Sequence, residues 1–376
     1  MGKKAIFQVS LLAGTIIGAG VFALPFVFNT VGVGAGFFYL VLGAIVFTII
    51  HLMYADVVMR TAGEHRFLGY AGIYLGRQSF LPILLMTVVE TVFVLAIYLI
   101  LSKSFSQLVN FPGGDLEAVL FFWFVSSLSI FLGLRKIAIL ELLATAGMIM
   151  IIGLVFLWGL GVLDQFKFGG FVLDWKILFL PLGPVLFSLS GRVAVPSLVS
   201  YDSDKKSVRN SIIIGTFLPA IVYGLFVLSV LGLSLNVSED AVSGLVGQIP
   251  DFGMILIGVF GLLSLWTSYI AVGFDVFKSF LQDLRLSKWV APALIAFGPL
   301  VVYFFSSQSF IYLVSLVGGF FLALESLLII LMWLRVDKIA PKPRIFMKNL
   351  PAPMVALTAL VFLAALGYEV ARIFLD

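Results

Sequence analysis

Ala13-Gly14-Thr15-Ile16-Ile17-Gly18-Ala19-Gly20-Val21 sits in the middle of the first apolar stretch of the chain, and Pro25 follows four residues later. The flanking residues are apolar enough to cross a membrane as helix. Three glycines within seven residues, with a proline behind them, argue for a break in that helix. A bilayer tolerates non-helical backbone only where protein or a water-filled cavity covers the freed N–H and C=O groups. A break at mid-membrane depth is therefore a pointer to a polar ligand site, and it makes transport the first function to consider.

Composition agrees with a membrane protein. The 376 residues are 62% hydrophobic and 11% charged, with a mean hydropathy of +1.18. No soluble globular domain has this balance. The first apolar stretch lacks a small-residue cleavage pattern and many like it follow, so it is expected to be a retained helix and not a signal peptide. The absence of cysteine excludes disulfides and thiolate metal sites, and two histidines, His51 and His65, are too few for a histidine metal cluster. The net charge of +4 does not imply nucleic acid as a partner, because the basic residues lie in short loops.

Apolar runs set against turn signals give eleven spans: 5–28, 33–59, 80–107, 117–133, 137–161, 176–200, 208–232, 252–281, 289–305, 309–334 and 353–374. Asn110-Phe111-Pro112-Gly113-Gly114, Gly169-Gly170, Tyr201-Asp202-Ser203-Asp204 and Pro341-Lys342-Pro343 punctuate the connections. None is long enough for a soluble domain, so residues 1–376 read as one membrane transport domain. One set of loops carries 18 basic residues, including Lys3, Arg66, Arg135, Lys205 and Arg335. The opposite set carries four: Lys103, Lys167, Lys176 and Arg372. That bias predicts a cytoplasmic N-terminus and, with an odd number of spans, an extracytoplasmic C-terminus.

Span six is also interrupted. Ser188, Ser190, Gly191 and Arg192 fall near its middle and Pro196 follows. Spans one and six stand five spans apart and so open two halves of opposite orientation, 5–161 and 176–334, of 157 and 159 residues. Two equal halves with breaks in matching places are what an inverted-repeat transporter requires. Span eleven lies outside the repeat.

Gly14-Thr15-Ile16-Ile17-Gly18-Ala19-Gly20-Val21-Phe22-Ala23-Leu24-Pro25 resembles the first helix of the aromatic and hydroxy amino acid permeases. These belong to the amino acid–polyamine–organocation superfamily, alongside the amino acid/auxin permeases and the sodium-coupled neutral amino acid transporters. Pro196-Ser197-Leu198, then Asp204-Lys205-Lys206, Arg209, Gly215 and Pro219, resemble the same family after its sixth helix. The likeness in span order covers residues 5–374. It implies an all-α integral membrane protein of eleven helices, a five-plus-five inverted repeat of the leucine-transporter type, an amino acid substrate and coupling to sodium or protons. It also implies secondary active symport into the cytoplasm of a prokaryote, across its cytoplasmic membrane, by a monomer with lipid around it and no cofactor beyond the coupling ion.

The residues themselves suggest how such a site works. Unwound backbone from Ile17 to Val21 offers N–H groups to a carboxylate at the positive end of the second half-helix, and Gly18, Ala19 and Gly20 let that backbone approach the ligand. Thr15 adds a hydroxyl. Carbonyls of the first half-helix can accept from an ammonium. Phe187, Ser188 and Ser190 of span six supply an apolar wall and acceptors, and mid-span Trp266 is expected to line the cavity. Arg192 departs from the small-residue pattern after the break. A buried guanidinium needs a partner or water, and Glu90, in the middle of span three, is the expected partner. A free Arg192 would instead touch substrate and favour acidic solutes.

Ser264, Thr267 and Ser268 lie three and four residues apart in span eight and share one helix face. Such oxygens suit a small hard cation. The resemblance implies a sodium site made of Thr267 and Ser268, the carbonyl of Ser264, and the carbonyls of Gly14 and Ile17. Some proton-coupled relatives place a span-five lysine there, and 137–161 has none. Sodium is thus the expected ion, with proton coupling through Glu90 as the alternative.

The remaining polar residues read more simply. Glu141 and Asp275 are expected at gate or loop contacts, and Asp56 with Arg60 as a helix pair near the surface. Trp123, Trp158, Trp175, Trp289 and Trp333 are expected as interface anchors, and His51 as a packed or hydrogen-bonded residue. A channel would show a continuous polar stripe or a symmetric ring. An intramembrane enzyme would need a nucleophile–base or metal constellation, and His-x-x-x-His, Gly-x-Ser-x-Gly and paired intramembrane aspartates are all missing. A transporter-like amino acid sensor stays open. The sequence does not rank the amino acids.

Overall fold

A computed structural model describes residues 2–130, 134–159, 174–279, 290–306, 309–339, 343–348 and 350–375, whose regular structure is entirely helical. Span one consists of α1 (Lys3–Ile16), a 3-10 turn (Ala19–Ala23) and α2 (Leu24–Val31). Span two is α3 (Val33–Arg60), and a short helix that the hydropathy pattern hides, α4 (Phe67–Leu75), follows it. Spans three to five are α5 (Arg77–Leu108), α6 (Asp115–Ser129) and α7 (Leu134–Gly159). Span six is made of α8 (Trp175–Leu178), α9 (Leu182–Leu189) and α10 (Ala194–Tyr201). Spans seven to nine are α11 (Lys205–Leu233), α12 (Asp251–Ser279) and α13 (Val290–Phe305). Span ten runs through α14 (Phe310–Leu316), a π-helical turn (Val317–Leu322) and α15 (Ala323–Ile339), and span eleven is α16 (Ala352–Leu375).

Among the described residues, seven helical stretches are long and apolar enough to cross a bilayer, with Leu182–Tyr201 of span six and Phe310–Ile339 of span ten each taken as one, and span one passes the same test as a pair bent by 46°. The helices start where local chemistry favours it. Asp204 accepts from the Ser207 N–H at 2.8 Å at the head of α11, and Ser309 accepts from the Tyr312 N–H at 3.3 Å at the head of α14.

Lipid tails are as apolar as leucine, so helices in a bilayer are held by close packing and polar ties more than by water exclusion. α1 lies along α11, α12 packs on α5 and α7, and α9 docks on the π turn of span ten. That last contact depends on Gly318, where an added Cβ would overlap the Gly183 carbonyl. The polar ties are long-range. Buried Gln8 donates to the carbonyls of Leu198 and Asp202, each at 2.9 Å, and accepts from Ser207 at 2.8 Å and Ser211 at 3.1 Å. It thereby fastens the first half of span one to the end of span six and the start of span seven.

Two surface expectations are corrected. Trp333 is not an interface anchor: its side chain is fully buried, donates to Asp56 Oδ2 at 3.0 Å and lies 3.8 Å beneath the Arg344 guanidinium. Asp56 and Arg60 do pair, at 3.7 Å, but inside the protein. Asp56 also accepts from the Ile345 and Phe346 N–H groups, while Arg60 reaches Asp337 at 2.7 Å, so the segment after α15 folds back over the pair. The side chains of Glu141, Trp175 and Trp289 lie outside the described residues.

Gly318→Val should lower the thermal midpoint of the detergent-solubilised protein, since overpacking costs about 1–3 kcal/mol. Gly367→Ala, whose added Cβ meets nothing within 4 Å, should leave the midpoint unchanged or slightly higher. Equal midpoints for the two variants would contradict the helix contact described.

Candidate functional site

The two breaks face each other. In span one the Ile17 N–H still donates to Ala13 O at 2.8 Å, after which the chain leaves the helix and resumes as the 3-10 turn at Ala19. In span six Ser190 and Gly191 leave the helix before α10 begins. Gly20 lies directly on the Ser188 backbone, where an added Cβ would collide, so no other residue fits there without displacing one of the two spans. The freed backbone groups find partners on neighbouring helices. Gly191 donates to His51 Nε2 at 3.1 Å, and His51 Nδ1 meets Thr216 Oγ1 at 3.1 Å, a pattern that puts the ring proton on Nδ1. Tyr223 of α11 carries its hydroxyl to 2.6 Å from Ile16 O and 3.0 Å from Ser188 O. Its single hydrogen is shared between the last carbonyls of two half-helices.

Between the breaks lies a cavity of 70 Å³. Thr15, Gly18, Ala19, Gly20, Glu90, Phe187, Ser190 and Arg192 all line it, joined by Thr91, Val94 and Tyr98 of α5, Val272, Asp275 and Val276 of α12, and Leu322 of the π turn. Two residues expected at the site lie elsewhere. Ser188 turns its hydroxyl back to Val185 O at 3.0 Å, and Trp266 points to α6, donating to Ser129 Oγ at 3.2 Å. Both have local causes: a serine satisfies itself on its own helix, and the indole N–H finds a half-buried hydroxyl on the neighbouring helix.

Arg192 does not take Glu90 as its partner. Its Nε lies 2.6 Å from Glu325 Oε1 of α15 and its Nη1 3.5 Å from Asp275 Oδ2 of α12, with the Phe67 ring of α4 4.9 Å from the guanidinium carbon. The Glu90 Oε2 atom is buried and has no hydrogen-bond partner among the described residues. Asp275 reaches further, to Arg66 Nη1 at 3.5 Å, and Arg66 also donates to Ser197 at 3.3 Å. Arg66 lines a second, larger recess of 530 Å³ bounded by the end of α3, the 63–66 loop and α10. The Lys4–Asp202 ion pair puts this recess on the face that carries the N-terminus. The Arg66–Asp275 pair thus stands between the open recess and the inner cavity.

The span-eight hydroxyls meet the end of α1. Ser264 Oγ lies 3.5 Å from Ile17 O, Thr267 donates to Ser264 O at 3.0 Å, and Ser268 Oγ lies 3.2 Å from where a Gly18 Cβ would stand. All three are buried, as is Gly14 one turn before Ile17. The sequence reading missed Glu325 and Tyr223. Glu325 carried a usable signal, an acid inside span ten, whereas Tyr223 is one of 11 tyrosines with nothing local to distinguish it.

Comparison with known proteins places this geometry in a family. Residues 1–368 match the tryptophan/tyrosine permease family, and the chain belongs to it. Tyrosine-specific transport system 1 of Haemophilus influenzae is 26% identical over 349 residues, 85% of each chain. The structure of MhsT in complex with L-phenylalanine superposes with a TM-score of 0.71 at 15% identity, covering 97% of this chain and 98% of that one. Mhp1, a nucleobase-cation-symport-1 family transporter in a closed conformation, gives 0.70 at 12% identity over 97% and 90%. A manganese transporter of Eremococcus coleocola gives 0.68 at 17% identity over 100% and 90%. The fold is accordingly the leucine-transporter type, a five-plus-five inverted repeat with spans one and six broken. The chain is a multi-pass membrane protein and a secondary transporter, not an enzyme.

Tyr223→Phe should leave a folded protein with a lower thermal midpoint, because two buried carbonyls lose one shared donor and an unsatisfied buried group costs about 1–3 kcal/mol. Transport should slow as well, since the hydroxyl fixes the two breaks against each other. A variant with wild-type midpoint and rate would show that the tie is idle.

Proposed function

We propose that this permease carries a small neutral L-amino acid with an aromatic side chain into the cytoplasm together with sodium, by alternating access. The observation that carries the reading is the cavity: backbone of a broken helix and three charged side chains, Glu90, Arg192 and Asp275, on one part, Phe187, Tyr98, Val94, Val272 and Val276 on the rest. A zwitterion with an apolar side chain matches such a lining. Its carboxylate is set against the N–H groups at the start of the second half of span one, where the helix end is positive. Its ring lies against Phe187 and Tyr98. The Haemophilus relative is named for tyrosine and the MhsT structure holds L-phenylalanine, in keeping with an aromatic substrate.

The cavity is smaller than the roughly 300–1,000 Å³ usual for ligand pockets, so loading has to widen it. The basic-residue bias assigns the face with Arg66 to the cytoplasm of a prokaryotic cell and the C-terminus to the outside. On that assignment the Arg66–Asp275 pair closes the cytoplasmic path, and release requires it to part. The halves 5–161 and 176–334 move against each other within a monomer, with α16 outside the repeat. Sodium sits among Ser264, Thr267, Ser268 and the carbonyls of Gly14 and Ile17, where it bridges span one to span eight and favours one arrangement of the two. A proton held by Glu90 is the second reading, supported by the buried position of that carboxyl on the cavity wall.

In proteoliposomes, uptake of radiolabelled L-tyrosine, L-tryptophan or L-phenylalanine should saturate and rise with an inward sodium gradient at fixed pH. Thr267→Ala combined with Ser268→Ala should remove the sodium dependence while the protein stays folded. Uptake that follows only a pH gradient and is lost in Glu90→Gln would replace sodium with protons. Binding without uptake would point to a sensor.

A further inference from the structure

We propose that Glu90 is the counter-charge for the α-ammonium group of the bound amino acid. The inference rests on the transport reading above and names how its site discriminates.

Among the described residues, the charged groups around Glu90 come from four other elements. Arg192 comes from the break in span six, Asp275 from α12 and Glu325 from α15, and Arg66, from the loop before α4, joins them through Asp275. The cluster holds three carboxyls and two guanidiniums. Both guanidiniums are engaged: Arg192 with Glu325 at 2.6 Å and Asp275 at 3.5 Å, Arg66 with Asp275 at 3.5 Å. One negative charge is left over, and geometry assigns it to Glu90. Its Oε2 is buried with no partner among the described residues, and the residue lines the cavity. The nearest hydroxyls on its own helix cannot supply a hydrogen, because Thr87 donates to Ile83 O and Thr91 donates to Thr87 O, each at 2.9 Å.

A buried carboxylate without a donor is costly. An ammonium supplies what is missing, three N–H donors and one positive charge. The same contacts decide where the other end of the ligand goes. Arg192 already faces two carboxylates and has no charge to spare for a third, so the substrate carboxylate falls to the backbone N–H groups of span one. The ligand is therefore oriented with its ammonium toward α5 and its carboxylate toward the first break. The site should demand the amino group more strictly than the carboxylate, and acidic amino acids should gain nothing from Arg192.

The test is uptake of radiolabelled L-tyrosine in proteoliposomes, competed with tyramine, which lacks the carboxylate, and with 3-(4-hydroxyphenyl)propanoate, which lacks the amine. With the wild-type protein, tyramine should compete and the propanoate should need at least about tenfold more. In Glu90→Gln the KM for L-tyrosine should rise by about tenfold or more and competition by tyramine should vanish, while the weak effect of the propanoate stays as it was. Glu90→Asp should recover part of the loss. A Glu90→Gln protein with unaltered KM would overturn the assignment, and if that variant lost only its response to a pH gradient, the residue would be the proton site instead. Should the variant fail to fold, the analogue ranking on the wild-type protein decides alone, and a propanoate that competes as well as tyramine overturns the proposal. A wild-type protein that takes up none of the three aromatic amino acids would overturn the transport reading itself, and Glu90 with it.

Discussion

Where the first halves of spans one and six end, the Tyr223 hydroxyl offers one hydrogen to the carbonyls of both Ile16 and Ser188. The arrangement answers the constraint on which the whole molecule depends. Backbone released from a helix inside a bilayer finds no water, and each unpaired group costs several kcal/mol. Neighbouring helices must therefore supply partners before a site can exist at that depth. Tyr223 does so from α11, His51 from α3 through the Gly191 N–H, and Ser264 from α12 through Ile17 O. Satisfied in this way, the first half-helices are fixed, and Gly18, Ala19 and Gly20 at the start of the second half of span one are left lining the cavity.

Charge is organised along the path that leads from that cavity to the N-terminal face. Arg66, Asp275, Arg192 and Glu325 alternate in sign and belong to four elements: the loop before α4, α12, the break in span six, and α15. Buried ion pairs add little net stability, because desolvation offsets most of their attraction, yet removing one partner costs about 3–5 kcal/mol. Such a chain therefore specifies one arrangement of those elements more than it strengthens the fold. In the alternating-access reading proposed above, parting Arg66 from Asp275 would open the recess toward the cavity and admit water, which would lower the cost of the separated charges.

What the sequence disclosed was local. Gly14, Gly18, Gly20 and Pro25 break a helix wherever it lies, and the eleven apolar runs and their basic loops are read without knowing what packs on what. Partner choice was not local. Arg192 stood out as an intramembrane charge, but three carboxyls, Glu90, Asp275 and Glu325, lay within reach of a rearranged bundle, and spacing along the chain does not say which face of each helix turns inward. Trp333 looked like an interface anchor from its place near the end of span ten. It is buried because residues 343–348 fold back over it, with Arg344 covering the ring. Trp266 was placed at the right depth and the wrong face, since its N–H is drawn to Ser129. Tyr223 had no sequence signature at all, because its role exists only once two breaks have been brought together.

The π turn of span ten connects these threads. A π turn carries one more residue than the α-turn it replaces and so rotates the helix that follows it. Here it spans Val317–Leu322 and presents Gly318 to the Gly183 backbone, while Leu322 reaches the cavity. Glu325 comes one turn later and faces Arg192. Without the extra residue, Glu325 would point away from the break and Arg192 would lose its nearest counter-charge. The turn is braced from outside the repeat: Gly319 meets buried Glu369 of α16, and Glu369 pairs with Arg372 at 2.5 Å, whose guanidinium lies 4.9 Å from the Tyr312 ring on α14. Span eleven, which the two halves do not need for their symmetry, thus holds in shape the irregular turn that delivers a carboxylate to the broken helix.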